Sequence, residues 1–185
     1  PLEQVLGKIL DLTEVWWIPG NHDTDTDVFY DNLYGSALAD RNLHGRVATI
    51  AGMRVAGLGG VFRERVWMPP AVPKLQAPKE LIATGGAGNR WRGGLPRKHR
   101  STIFPSDIKA LQGKRADILV THEAPSCHPH GFEAIDALGH SLGVTSSFHG
   151  HHHESPDYSP HWGRLGLKAF GVGLRGILNQ DGGAI

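Results

Sequence analysis

The sequence predicts an α/β fold, and three short runs expected to be strands, each leading to polar side chains, support that prediction. Apolar residues at helical spacing over residues 2–12 lead directly into the first run, residues 15–18. The other two runs, residues 117–120 and 146–149, are each followed closely by histidines. Because ligands bind at the carboxyl ends of strands in layered α/β folds, the side chains after these runs are the first candidates for a functional site.

The composition indicates one domain, and any site that recognises a charged partner must depend on a local group of residues and not on the net charge. A chain of 185 residues can bury a single core, and its net charge of +1 favours neither nucleic acid nor an acidic membrane surface. Cys127 is the only cysteine, so no intrachain disulfide can form and a cytoplasmic location is expected. The 12 histidines and 25 glycines are unusually many, and they suggest metal ligands on tight loops.

The first run is expected to be a strand that delivers polar side chains to a loop. Residues 15–18 are β-branched or aromatic, whereas Pro19 and Gly20 end a strand and permit a tight turn. Asn21, His22 and Asp23 should therefore lie on a loop at the carboxyl end of the strand. A short helix, capped by Thr26 or Asp27, follows.

Residues 46–50 and 53–58 are expected to form a β-hairpin, because branched and small residues alternate on both sides of Ala51-Gly52. The hairpin ends in three glycines within residues 57–60, which suggests a backbone that passes close to the wall of a site.

Residues 63–105 are predicted to be a basic insertion, rich in proline and glycine, that serves as a functional lid or a surface loop. Five Arg and Lys residues lie between Arg90 and Arg100, around Trp91. Two interpretations remain open for this segment: a solvated basic surface, or a flap that contacts a phosphate-bearing substrate. In the second, Arg97, His99 and Arg100 are the candidate substrate-binding residues.

The second and third strands are predicted to end at Thr121-His122 and at Gly150-His151-His152-His153. His122-Glu123 would begin a zinc-protease helix, but Ser126 stands where the second histidine belongs and Pro125 would break the helix. If the last motif is extended, His151 and His153 face one site and His152 faces away. A hairpin of residues 165–170 and 172–178 is expected to close the sheet.

Gly20-Asn21-His22-Asp23, Thr121-His122 and Gly150-His151-His152-His153 resemble, in this order, three signatures of the calcineurin-like metallophosphoesterases. The resemblance covers residues 15–154 and implies a two-sheet β core flanked by helices, an αββα sandwich, with two divalent Mn, Fe or Zn ions at the strand ends. It implies a single domain over residues 1–185.

Carried over motif by motif, the resemblance assigns Asn21, His122 and His151 to one metal ion and His153 to the other. His22 would assist the leaving-group oxygen, and Asp23 would orient His22 or the loop. The implied reaction is hydrolysis of a phosphomonoester or phosphodiester by in-line attack of a hydroxide that bridges the two ions.

Two motifs that precede Gly-Asn-His-Asp in this family, Asp-x-His and Gly-Asp-x-x-Asp, are absent from residues 1–19. The expectation is that N-terminal strands carrying them are missing from this chain; the alternative is a catalytically degenerate scaffold that binds a partner protein. The sequence leaves the substrate open among nucleotides, phosphoproteins, nucleic acids and small phosphoesters, and it does not define the oligomeric state.

Overall fold

The computed structural model describes all 185 residues, and its centre is one mixed five-stranded sheet. The strands lie in the sheet in chain order. The first two strands are antiparallel, and every later neighbour pair is parallel. The strands are β1 (Arg46–Ile50), β2 (Met53–Leu58), β3 (Ile118–Thr121), β4 (Ser146–His149) and β5 (Lys168–Gly171).

Six α-helices accompany the sheet, and none of them is long and apolar enough to cross a membrane. Short 3₁₀ segments connect several of them, including Gly7–Asp11 and Arg97–Ser101. The helices are α1 (Leu2–Leu6), α2 (Asp27–Tyr34), α3 (Pro78–Thr84), α4 (Pro105–Leu111), α5 (Glu133–Leu142) and α6 (Trp162–Leu165).

The predicted hairpin is confirmed, and its turn explains its register. Ala51 and Gly52 both have positive φ values, 48° and 82°, and such a two-residue turn matches the twist of the strands it joins. Ile50 therefore pairs with Met53, and the pairing continues to Arg46 opposite Gly57.

The main core lies on one face of the sheet, where buried side chains of the parallel strands pack against α4, α5 and α6. Helix α5 begins at Glu133 as its apolar spacing predicts, and it ends at Gly143, which adopts a left-handed conformation with φ of 70°. Its buried side chains Ile135, Leu138 and Leu142 join Leu119 and Ala169 of the sheet in one cluster.

The insertion, residues 63–105, packs around a small core of its own rather than lying loose on the surface. Val66, Leu81 and Phe104 are buried together there. Helix α3 starts with Pro78, which suits the first turn of a helix because its missing N–H has no partner to lose.

The α/β class with flanking helices is confirmed, and the structure contains one sheet where two were expected. Residues 15–18 do not form a strand, because only Trp17 makes an isolated parallel bridge, with Asn42. The closing hairpin is also wrong. Residues 168–171 pair in parallel with β4, and Leu178 makes only an isolated bridge to Ala184. The first helix is interrupted at Gly7, whose φ is 45°.

Candidate metal centre

The loop that carries Asn21 rests directly on the end of β2. The carbonyl of Pro19 accepts a hydrogen bond from Gly60 N at 2.7 Å. A Cβ at Gly59 would lie 2.4 Å from Cδ of Pro19, so only glycine permits this approach. Gly59 and Gly60 therefore bring the backbone after β2 into contact with the loop that carries Asn21.

Gly20 and Asp23 shape the turn that presents Asn21. The carboxylate of Asp23 accepts a hydrogen bond from Gly20 N at 2.6 Å, which closes the turn on itself. A Cβ at Gly20 would lie 2.8 Å from Cε1 of His122, so the missing side chain lets the imidazole approach the loop. Of the two roles expected for Asp23, the contact corresponds to holding the loop.

Three of the predicted metal ligands come together beside this turn. Nε2 of His122 lies 2.9 Å from Oδ1 of Asn21, and the ring centroids of His122 and His151 are 4.7 Å apart. Burial, and after it the charge on the neighbouring imidazoles, lower the pKa of His122 to about 4. The ring is thus neutral at pH 7, and neutral imidazole is the form that binds a metal ion.

The histidine motif after β4 is a turn, not an extended segment. His151 and His153 have left-handed backbones, with φ of 69° and 61°, and His152 N donates to the carbonyl of Gly150 at 2.8 Å. The alternation expected for extended backbone therefore fails. His152 lies with His151 and Glu123, their ligand atoms all within 4.8 Å of one another, whereas His153 is exposed and outside that group.

Glu123 is a member of this cluster that sequence reasoning missed. It is 4 % exposed, and its carboxylate accepts a hydrogen bond from Phe62 N at 2.9 Å. Burial raises its pKa to about 7. Glu123 follows His122 directly at the end of β3, and this position could have identified it as a candidate ligand. The pair His122-Glu123 instead suggests a protease motif, which the sequence does not complete.

His152 is held from behind by a second layer of aromatic rings. Its ring stacks on that of His128 with centroids 3.7 Å apart, and Nε2 of His128 lies 3.3 Å from the carboxylate of Glu154. Nε2 of His152 is buried without a hydrogen-bond partner. A buried, unpartnered imidazole nitrogen beside a carboxylate and a second imidazole suits a divalent transition metal ion.

His22 lies next to Asn21 in sequence, but its ring points to solvent. Its side chain is 77 % exposed, and Nδ1 lies 2.6 Å from Oδ2 of Asp25. The residue that orients the imidazole is therefore Asp25 and not Asp23.

The three candidate substrate-binding residues of the insertion form hydrogen bonds or ion pairs with other residues of the chain. Arg97 pairs with the carboxylate of Asp27 and donates to the carbonyl of Asp25 at 2.7 Å. Arg100 lies 3.4 Å from the Tyr30 hydroxyl, and its guanidinium is over the ring of Trp91. Nδ1 of His99 lies 3.1 Å from Oγ1 of Thr102. None of the three hydrogen-bonds to Asn21, His122 or His151.

His122 and His151 follow the carboxyl ends of β3 and β4, which are parallel neighbours. Together with Asn21, Glu123 and His152, they give the molecule the histidine-rich donor set of a metal-binding α/β protein. The calcineurin-like phosphoesterase family matches residues 1–155, and the chain belongs to this family.

An uncharacterized protein of Haemophilus influenzae is 44 % identical over 177 residues, which cover 96 % of this chain and 77 % of that protein. No solved structure matches the chain. The family match ends before β5, so it rests on the part of the chain that contains every side chain of the donor set.

Proposed function

We propose that the protein is a metal-dependent phosphoesterase that hydrolyses a phosphomonoester or phosphodiester. The observation that supports this most directly is the convergence of the Asn21 loop with His122 and His151, which follow β3 and β4; Oδ1 of Asn21 lies 2.9 Å from Nε2 of His122. Amide oxygen and neutral imidazole are ligands that Mn, Fe and Zn accept.

The donor set divides into two groups that meet at His151. Asn21, His122 and His151 would hold one divalent ion, and Glu123 with His152 would hold a second. His153 remains a proposed ligand of the second ion, although its ring is exposed. When bound, such ions supply Lewis-acid assistance and a nucleophile at neutral pH.

The protein's own side chains would set the orientation of the substrate. The tight turn closed by Asp23 on Gly20 holds the Asn21 amide against His122. His22, at the solvent-facing edge of the same turn, would donate a proton to the departing oxygen of the ester, with Asp25 orienting its ring.

Metal binding tests the ligand set. Replacing His151 or His122 by Ala should weaken binding of Mn²⁺ or Zn²⁺ on the order of 10-fold or more, because a direct ligand is lost. Metal affinity is measured by isothermal titration and metal content by elemental analysis. His161→Ala, an exposed histidine outside the cluster, is the matched control and should bind as the wild type does.

Glu123→Gln distinguishes the two groups of ligands. It should lower the number of ions bound per chain while His122 and Asn21 still bind one. Equal metal content in wild type, His151→Ala and Glu123→Gln would contradict the site. Metal binding without hydrolysis of p-nitrophenyl phosphate or bis-p-nitrophenyl phosphate would favour the scaffold alternative.

A further inference from the structure

A cavity lies in the insertion, apart from the histidine cluster. Its volume is about 240 Å³, and Leu81 and Ile82 of α3 form its apolar part. No carboxylate lines it. Its titratable side chains are all basic: Arg65, Arg90, Lys98 and His99.

Three cations of this cavity have no acidic partner, in contrast to the two arginines that pair with carboxylates of α2. Arg92 and Arg97 are paired with Asp31 and Asp27 of α2. Arg65, Arg90 and Lys98 form no ion pair, and Arg90 donates only a long hydrogen bond, 3.4 Å, to the carbonyl of Ile82. Like charges gathered without a counter-charge repel one another, and a bound anion would offset that repulsion.

The pKa of His99 is affected by the positive charges around the cavity. Its pKa is lowered to about 4, first by burial and then by the positive charges of Arg63, Arg65 and Lys98. At pH 7 the imidazole of His99 is therefore neutral, and the positive charge of the cavity comes from Arg65, Arg90 and Lys98.

The inner wall of the cavity is connected to the candidate metal centre. Arg63 donates to Oγ of Ser101 at 3.2 Å, and Ser101 Oγ donates to the carbonyl of Asn21 at 3.3 Å. Ser101 belongs to the same 3₁₀ segment as Lys98 and His99. One buried serine therefore links the segment that lines the cavity to the loop that presents Asn21.

We propose that this cavity binds a phosphate group of the substrate other than the one that is hydrolysed, so that the preferred substrate carries at least two phosphate groups. The proposal rests on the proposed function, because it assumes that the histidine cluster hydrolyses a phosphate ester of the same substrate. Arg65, Arg90 and Lys98 contact the phosphate, and the apolar side chains of α3 contact the carbon skeleton. The Arg97 and Arg100 pair expected from the sequence serves instead to fasten the insertion to α2.

Binding of inorganic pyrophosphate to the metal-stripped chain of residues 1–185 tests the cavity by isothermal titration. The double variant Arg90→Gln/Lys98→Gln should bind pyrophosphate on the order of 10-fold or more weakly, because two charge-assisted contacts are lost. Lys109→Gln/Lys114→Gln removes the same charge from two exposed, unpaired lysines elsewhere and should retain the wild-type affinity. Equal affinity in the wild type and the Arg90/Lys98 variant, or no binding by the wild type, would overturn the proposal.

Kinetics of the metal-loaded protein separate this proposal from the proposed function. The Arg90/Lys98 variant should have a raised KM for a sugar bisphosphate and an unchanged KM for p-nitrophenyl phosphate, which has no second phosphate. An equal rise for both substrates would overturn the assignment to a second phosphate. Failure to hydrolyse either substrate would overturn the phosphoesterase proposal, while the pyrophosphate titration would still decide whether the cavity binds phosphate.

Discussion

His22 lies at the edge of the candidate centre, where it could act on a substrate without holding a metal ion. Its imidazole is largely exposed and is oriented by Asp25, while its neighbour Asn21 faces His122. A general acid needs access to the leaving-group oxygen and a partner that holds its ring in position. The exposed position would leave the ring free to approach a substrate, and the contact with Asp25 would hold the ring in position.

Replacing His22 by Ala should keep the metal content and slow hydrolysis of an alkyl phosphate by about 10²–10⁴-fold. A p-nitrophenyl ester should lose much less, because its leaving group is stable without a proton. Steady-state kinetics on both esters, with elemental analysis of the variant, measure the difference. Equal losses on the two esters would assign His22 to another step, and depleted metal would make it a ligand.

The sequence predicted part of the residue-level site because Asn21, His122 and His151 belong to short motifs with local spacing. Glu123 was set aside together with the incomplete protease motif, whereas His152 was missed for a physical reason. The left-handed backbone at His151 turns the next side chain back toward the cluster, and alternation in an extended chain predicts the opposite. Non-glycine residues with positive φ are uncommon, so sequence spacing gives little warning of them.

At the scale of elements, the metal centre depends on how the end of β2 supports the Asn21 loop. Gly59 and Gly60 contact Pro19 through the backbone, and the space for a Cβ at Gly59 is already occupied by the proline ring and carbonyl. The loop is thus positioned by a strand that contributes no ligand of its own.

Gly59→Ala should therefore displace Pro19 and weaken metal binding, with a loss of roughly 1–3 kcal/mol in the free energy of unfolding from overpacking. The added Cβ would lie 2.6 Å from the Pro19 carbonyl oxygen, which is backbone and cannot move alone. Gly163→Ala in α6 is the control, since nothing lies within 4 Å of the position that its new methyl group would take, and the change in stability should stay within about 1 kcal/mol. Urea unfolding and metal titration measure both effects; unchanged metal affinity in Gly59→Ala would contradict the supporting role.

Helices and strands were predicted correctly where a local sequence pattern determines them. The predictions failed where the structure depends on pairing between distant segments. The hairpin and α5 follow from local alternation and helical spacing. Residues 15–18 have strong β-propensity, yet their only bridge is between Trp17 and Asn42, because β-propensity describes a surface that fits a neighbouring strand and not the presence of that neighbour. The pattern of residues 165–170 predicts the first half of a hairpin, but α6 ends at Leu165 and β5 pairs in parallel with β4.

At the scale of the whole molecule, the two faces of the sheet are packed unequally. Alternate residues of β3 point to opposite faces, and Leu119 is fully buried while Ile118 and Val120 are only half-buried. The same pattern continues in β4 and β5, where Phe148 and Phe170 stack on the more open face. Packing energy is therefore concentrated on the face covered by α4, α5 and α6.

Two adjacent substitutions in β3 test this asymmetry, because each removes three carbon atoms from a branched aliphatic side chain. Leu119→Ala should lower the free energy of unfolding by about 2–5 kcal/mol, since it leaves a cavity in the closed core. Ile118→Ala should cost only about 1 kcal/mol, because part of that side chain is already in contact with water. Urea unfolding gives both values. The slope of the free energy of unfolding against urea concentration should be the same in both variants and the wild type, which would confirm that the same surface is exposed on unfolding. Equal losses at the two positions would mean that the open face of the sheet contributes as much packing as the helix-covered face, and the unequal packing described here would be wrong.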